Sequence, residues 1–389
     1  MKLAIVRQAY TPFGGAERFV ERAAEALQSD GVSITIVARR WTGMPAYGLE
    51  PCDPFYVGRV WRDAGFARCV RRLIAGRRFD LVQSHERVPG CDIFRAGDGV
   101  HATWLAQRER MRGWPARLSH ALSPWHRYTL AAERRVFADP GLKAVICNSQ
   151  MVRDDIARRF SVPDGKLHVV FNGIDLAAYS PELRERHRLS VRHQVGVDNA
   201  IPVILFVGSG FERKGLGVLI DAFAAMDESS AQLWVVGLDK HAARYEAQAR
   251  RRGVADRVRF LGPQQDVKPY YGAADAFALP TLYDPFPNAV LEAWACGLPV
   301  VTSDSCGAAE LVDPGRNGYV CDALDVAGLA RALDALCGPG VAESLRAAAR
   351  RTAEPLSICA MAERLGGLYR QLLREAVWES ARLPEDPGG

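Results

Sequence analysis

The chain has 389 residues, too many for one ordinary core and suited to two domains of about 180 residues each. Its composition, 48% hydrophobic and 24% charged, is that of a soluble globular protein, and no run approaches the roughly 20 apolar residues that span a bilayer. The net charge of +5 is mild and bears on function only where it is concentrated.

Only a short apolar run precedes Arg7, which argues against a signal peptide. Strand-length apolar runs follow at 2–6, 33–37, 81–84, 93–96 and 144–147, then at 203–207, 233–236, 258–261, 276–279 and 300–303. Helix-periodic segments lie between many of them. Such alternation predicts an α/β fold whose parallel sheets carry helices on both faces, and the pattern occurs twice. It breaks around 160–200, where Phe-Asn-Gly-Ile-Asp (171–175) is followed by a polar, Arg- and His-rich segment at 181–193. The expected boundary lies near Asn172, giving domains at 1–171 and 172–355, with a C-terminal helix at 360–381. Nine scattered cysteines without a C-x-x-C pair read as reduced core thiols of a cytoplasmic protein rather than a disulfide or zinc framework.

Ligands of open α/β sheets bind beyond the C-terminal strand ends, so the cleft between two such domains is the expected site. After the first strand, Gly14-Gly15 opens a helix and allows close backbone approach to a ligand, or serves only a tight turn. Asp98 and His101 follow the fourth strand in Ala-Gly-Asp-Gly-Val-His, where an acid facing the cleft would accept hydrogen bonds from a ligand's hydroxyls. For His101, and for His85, a structural role is as good a reading as a catalytic one. Between Trp104 and Arg135, Arg108, Arg110, Arg112, Arg117, Arg127, Arg134 and Arg135 face only Glu109 and Glu133. Trp104, Trp114, Trp125 and Tyr128 are interleaved with them, a composition that fits an anionic membrane surface or a charged helix pair with buried tryptophans. No nucleic-acid motif accompanies it.

The run at 206–215 places Gly208, Arg213, Lys214 and Gly215 in a loop between a strand and a helix. It is not a Walker loop, but a planar guanidinium beside a point charge suits a diphosphate leaving group. The alternative is a solvated pair. At 280–301, Asp284 and Glu292 bracket a helix start: Asn288 is the predicted N-cap, and Gly297 and Pro299 end the helix. Amides near Asn288, Ala289 and Val290 would then face an anion. The bland alternative is a capped helix with two solvated acids.

In this order, the Gly-Gly loop, Asn-Gly-Ile-Asp, Arg-Lys-Gly, and acid-x7-Glu followed by Ala-Cys-Gly-Leu-Pro-Val-Val resemble the retaining glycosyltransferases of family 4. The resemblance covers nearly the whole chain. Segments 13–18, 96–99 and 207–215 are most similar to the glucosyltransferase I group of lipopolysaccharide core enzymes, which add glucose from UDP-glucose to an inner-core heptose. It implies a GT-B fold: two Rossmann-like domains facing a cleft, with the segment 356–389 crossing back to the first. Arg213 and Lys214 would hold the diphosphate, Glu292 the ribose and the acid at 284 the donor sugar, with Gly15 near the phosphate and Gly208 at the donor. No protein nucleophile and no metal or other cofactor is implied, because the cations neutralise the diphosphate. The implied partners are a UDP-sugar and a lipopolysaccharide or other glycolipid acceptor, met at the cytoplasmic face of the inner membrane through 104–135. The family usually carries Glu where this chain has Asp284, one methylene shorter, so donor choice is where departure is expected. A nucleotide-sugar epimerase and a non-catalytic sugar-nucleotide binder are the competing readings.

Overall fold

The computed structural model describes residues 1–10, 31–41, 48–76 and 79–382; these form two large parallel sheets on either side of a cleft, and a two-stranded one pairs Ala9–Tyr10 with Arg40–Trp41. The first sheet contains β1 (Lys2–Val6), β2 (Ser33–Ala38), β3 (Gly48–Pro51), β4 (Leu81–Ser84), β5 (Ile93–Arg95), β6 (Ala144–Cys147) and β7 (Leu167–Val169). Their order is β3-β2-β1-β4-β5-β6-β7. The second contains β8 (Val203–Val207), β9 (Gln232–Val236), β10 (Val258–Gly262), β11 (Ala276–Leu279), β12 (Val300–Ser303) and β13 (Gly318–Cys321), ordered β10-β9-β8-β11-β12-β13. Each sheet reverses its strand order beside its first strand, and that switch point is where doubly wound folds bind ligands. The central strands β4, β6, β9 and β11 are buried throughout, as expected of strands covered on both faces.

The helices used below are α1 (Gly58–Ile74), α2 (His101–Arg112), α3 (Trp114–Leu122), α4 (Pro124–Phe137), α5 (Glu182–Val195), α6 (Leu216–Ala224), α7 (Asn288–Ala295) and α8 (Ile358–Arg382). Although it follows the second sheet in sequence, α8 packs on the first. Met361, Leu365, Leu368, Tyr369 and Leu372 recur at helical spacing and bury against Leu3, Ile5, Ile36 and Ile146. The Tyr369 hydroxyl donates to Gln83 Oε1 at 2.7 Å within that contact. The chain therefore crosses between the domains twice, and the crossings run side by side: Ile174 N–H donates to Leu356 O at 2.9 Å and Ile358 N–H to Ile174 O at 3.1 Å. Gly173 permits this approach, since a Cβ there would lie 2.8 Å from Ile358 Cα.

The Arg- and His-rich segment at 181–193, between the last strand of the first sheet and the first strand of the second, forms α5. Its Arg184, Arg188 and Arg192, spaced four apart, converge on Asp275 at 3.3, 2.7 and 2.6 Å. The cysteines are not all reduced. Cys52 and Cys69 form a disulfide with Cα atoms 6.0 Å apart, while Cys91, Cys147, Cys296, Cys306 and Cys337 are buried free thiols. The pair joins the loop after β3 to α1, a tertiary contact that spacing alone does not announce. No described helix is long and apolar enough to cross a membrane.

Candidate functional site

Strand ends from both sheets open into one cleft of about 1550 Å³. On the second domain, β8 runs into Gly208 and the loop that starts α6. Gly215 has φ +76°, and a Cβ there would lie 1.9 Å from Pro280 O, so glycine is required for the loop to lie against the segment after β11. Leu282 N–H and the Thr281 hydroxyl both donate to Arg213 O at 2.8 Å and lock the two segments together. This delivers the predicted cations to the predicted acid: Asp284 Oδ2 accepts from Arg213 at 3.1 Å and from Lys214 Nζ at 2.5 Å. Arg213 is partly exposed at the cleft, whereas Lys214 and Asp284 are buried in its floor. Burial pushes the Lys214 ammonium below its ordinary value, with Asp284 opposing. For Asp284 burial acts upward, but Lys214 and Arg213 outweigh it and hold the carboxyl below the usual range. Two cations and one anion leave a net positive centre, suited to an anionic ligand.

The start of α7 differs from expectation. Pro287, in extended conformation, is the N-cap, and Asn288 is the first helical residue. The Asn288 side chain accepts from Asn172 Nδ2 at 2.8 Å instead of capping the helix. Val290 N–H already donates to Pro287 O at 3.1 Å, so Asn288 and Ala289 reach the cleft and Val290 does not. Glu292 is buried at the cleft and accepts from the Tyr271 hydroxyl at 3.0 Å. Burial and the neighbouring Glu292 raise the Tyr271 phenol well above its ordinary value, which keeps it a donor.

Asp98 lies on the opposite wall, exposed and accepting no hydrogen bond among the described residues. The next residue, Gly99, has φ +66°, and a Cβ would lie 2.3 Å from Tyr283 Oη. That close approach lets Val100 N–H donate to Tyr283 Oη at 2.8 Å across the domains. His101 lines the cleft, with Nε2 3.0 Å from His126 Nδ1. Burial, with help from Arg87, pushes it down to about 3, so it is uncharged at neutral pH. His85 does not line the cleft; it pairs with Gln83 at 2.9 Å beneath α8. Gly14 and Gly15 lie outside the described residues.

Three features escaped the sequence reading. Asn172, whose motif placed a boundary and entered the resemblance without a role of its own, bridges the domains: it accepts from buried Arg95 at 2.7 Å and donates to Phe286 O at 3.0 Å. Gln264, Gln265, Asp266 and Lys268 line the cleft after β10, where the rule about strand ends could have found them. The arginines of α2 do not form a stripe facing outward. Arg108 and Arg112 pair with Glu212 in the loop before α6 and Arg110 pairs with Asp322, all across the domains. Elsewhere in 104–135, Trp114, Leu118 and Leu122 on α3 are exposed, as are Arg117 beside them and Arg127, Arg134 and Arg135 on α4.

The model of Glycosyltransferase Family 4 matches residues 13–178, and that of Glycosyl transferases group 1 matches residues 201–338. The lipopolysaccharide glucosyltransferase WaaG of Escherichia coli K12 is 27% identical over 325 residues, spanning 82% of this chain and 85% of its own. A D-inositol 3-phosphate glycosyltransferase of Salinispora arenicola is 31% identical over 317 residues, 75% of this chain and 68% of its own. A crystal structure of WaaG matches with a TM-score of 0.81 at 26% identity, covering 94% of this chain and 99% of the other. The two family matches meet at the cleft that holds Arg213, Lys214, Asp284 and Glu292, and the chain belongs to the family 4, group 1 glycosyltransferases, with their GT-B fold.

Proposed function

We propose that this chain is a retaining hexosyltransferase that moves a hexose, with glucose as the proposed sugar, from a UDP-sugar to a heptose of the lipopolysaccharide inner core. The observation that carries the reading is the meeting of Arg213, Lys214 and Asp284 in the floor of the cleft, one helix from Glu292 and across from Asp98. Arg213 and Lys214 take the diphosphate, with the α7 amides at Asn288 and Ala289 and the backbone at Gly208 assisting; Gly14 and Gly15 are assigned to the same ligand from the sequence alone. Glu292 accepts from the ribose, Asp284 from the sugar, and Asp98 from the acceptor. In the step itself the bond between the sugar carbon and the diphosphate oxygen breaks while the bond to the acceptor oxygen forms on the same face. The acceptor proton passes to the departing phosphate oxygen, so no protein nucleophile enters. The cations supply the counter-charge, and we assign no metal to the step. Likeness to WaaG supports glucose and a core acceptor; the exposed apolar side of α3 supports a peripheral site on the cytoplasmic face of the inner membrane.

Incubation with UDP-glucose, UDP-galactose or UDP-N-acetylglucosamine, with and without truncated core lipopolysaccharide and with and without EDTA, tests each part. The expected result is transfer from UDP-glucose only when acceptor is present, with the anomeric configuration kept and the rate indifferent to EDTA. Isomerised donor without acceptor makes the chain an epimerase and sinks the proposal. Transfer to a different glycan or lipid-linked acceptor keeps the chemistry and replaces the acceptor.

A further inference from the structure

Away from the cleft, the loop between β3 and α1 holds apolar side chains outward on a rigid support. Phe55, Val57 and Trp61 are 77%, 67% and 52% exposed, and the Phe55 ring meets Trp61 edge-on at 5.7 Å. Cys52 is bonded to Cys69 of α1. Buried Arg39 pairs with Asp53, donates to Pro54 O at 3.1 Å and lies 4.2 Å over the Tyr56 ring. Pro54 rests on Gly65, where a Cβ would sit 3.4 Å from Pro54 Cγ. A loop held at Cys52, Asp53, Pro54 and Tyr56 keeps its rings in solvent, and a fixed exposed apolar patch marks an interaction site.

The charge around the patch selects the partner. Trp61, Arg68 and Arg72 fall on one stripe of α1 at i, i+7 and i+11, and both arginines are exposed. Asp63, the one acid of α1, is turned toward the cleft, where it accepts from Gln8 at 3.1 Å, Arg62 at 2.8 Å and Trp125 Nε1 at 2.9 Å. Aromatic rings at headgroup depth with arginines reaching phosphates is the chemistry of an anionic leaflet. We propose that Phe55, Val57 and Trp61, with Arg68 and Arg72, form a second membrane contact besides α3. Both α1 and α3 pack on α4, whose Trp125 and Tyr128 line the cleft, so two contacts orient the cleft mouth toward a membrane-bound acceptor. The inference rests on the lipid-linked acceptor reading.

Co-sedimentation with vesicles of phosphatidylcholine, alone or mixed with phosphatidylglycerol, tests it. Wild type should bind only the mixed vesicles. The Phe55→Ser/Trp61→Ser variant should bind them at least about tenfold more weakly, as expected for two rings no longer buried. Arg68→Glu/Arg72→Glu should weaken binding and flatten its salt dependence. Both variants should transfer sugar to delipidated core oligosaccharide at the wild-type rate, which shows that they fold. Unchanged vesicle binding in both, with loss only in Trp114→Ser/Leu118→Ser, overturns the second contact and leaves the acceptor reading intact. Self-association in lipid-free ultracentrifugation that Phe55→Ser/Trp61→Ser abolishes gives the patch to a second copy of the chain and also overturns it. Absence of sugar transfer by wild type sinks the functional reading without altering what the vesicles report.

Discussion

Lys214 is held between opposing influences, and its titration should be visible in the kinetics. Burial lowers the pKa of its ammonium and Asp284 only partly restores it. A diphosphate needs the charged form, so kcat/KM, which reports the free enzyme, should begin to fall below the ordinary lysine value of about 10.4. Bound diphosphate favours the ammonium, so kcat should hold to higher pH. Lys214→Arg replaces the titrating group with one that stays charged and should remove the alkaline limb, whatever it does to the plateau. A limb at the same pH in both enzymes takes Lys214 out of the donor site. Asp284 carries a second prediction. Asp284→Glu adds a methylene in a buried position and moves the carboxylate toward the donor sugar. The ratio of kcat/KM for UDP-glucose over UDP-galactose should change by roughly tenfold or more; an unchanged ratio separates Asp284 from donor choice. Arg213, Lys214, Asp284 and Glu292 were legible in sequence because each is fixed by spacing to a strand end or helix start. The role of Asn288 was misread because a capping residue and a first helical residue differ only in backbone angles, and the preceding Pro287 already supplies the extended conformation.

Among the elements, what could be read depended on how completely each is covered. The ten apolar runs all became strands, because parallel strands buried on both faces need unbroken apolar sequence. The strands of the two large sheets that went unseen, β3, β7 and β13, all stand at sheet ends, where only the apolar β10 was seen; β3 is largely exposed and β13 starts at a glycine. Edge strands need fewer apolar residues and leave less trace. α5 was hidden for another reason: Leu183 and Val191 join the core, but much of its hold on the second sheet is ionic. Asp275 stands where Arg184, Arg188 and Arg192 meet, with Arg192 almost wholly buried. Burial acts upward on the Asp275 carboxyl, but Arg192 and Arg188 hold it below the usual range. Its contribution is therefore complete above the unfolded value near 4 and is lost as pH falls through the lower folded value. Asp275→Asn leaves buried Arg192 without its counter-charge and should destabilise the second domain by about 3 kcal/mol at neutral pH. Urea unfolding followed at several pH values measures this, and the gap from wild type should narrow in acid. A donor KM that rises as steeply as stability falls would instead tie α5 to the site.

On the scale of the whole molecule, the two domains are joined by paired crossings on one side and clasped by polar contacts at several points around the cleft. Arg108 and Arg112 of α2 hold Glu212, which immediately precedes Arg213 and Lys214, the pair proposed to take the diphosphate. Glu310 of the second domain accepts N–H bonds from Gln150 at 3.0 and 2.9 Å and from Met151 at 3.2 Å, at the start of a first-domain helix. A carboxylate there meets the positive end of the helix dipole. The clasp thus ties first-domain helices to the loop that carries Arg213 and Lys214, while the side-by-side crossings at 173–174 and 356–358 are the covalent links about which the domains would turn. Each partly exposed ion pair is worth about 1 kcal/mol or less, so no single one holds the cleft shut. Together with the helix-end contact they amount to roughly 2–3 kcal/mol, enough to change the closed-to-open ratio by more than tenfold. In the Glu212→Ala/Glu310→Ala variant the radius of gyration from solution scattering should increase without donor and return toward the wild-type value when UDP is added. kcat/KM for the donor should fall by roughly tenfold, and Glu212→Ala alone should make the rate less sensitive to salt, because it removes the screened part of the clasp. A variant as compact as wild type and as active on soluble acceptor would mean that the crossings and the Val100–Tyr283 contact suffice to hold the domains. The arginines of α2 would then be ordinary surface charge, available once more to a membrane.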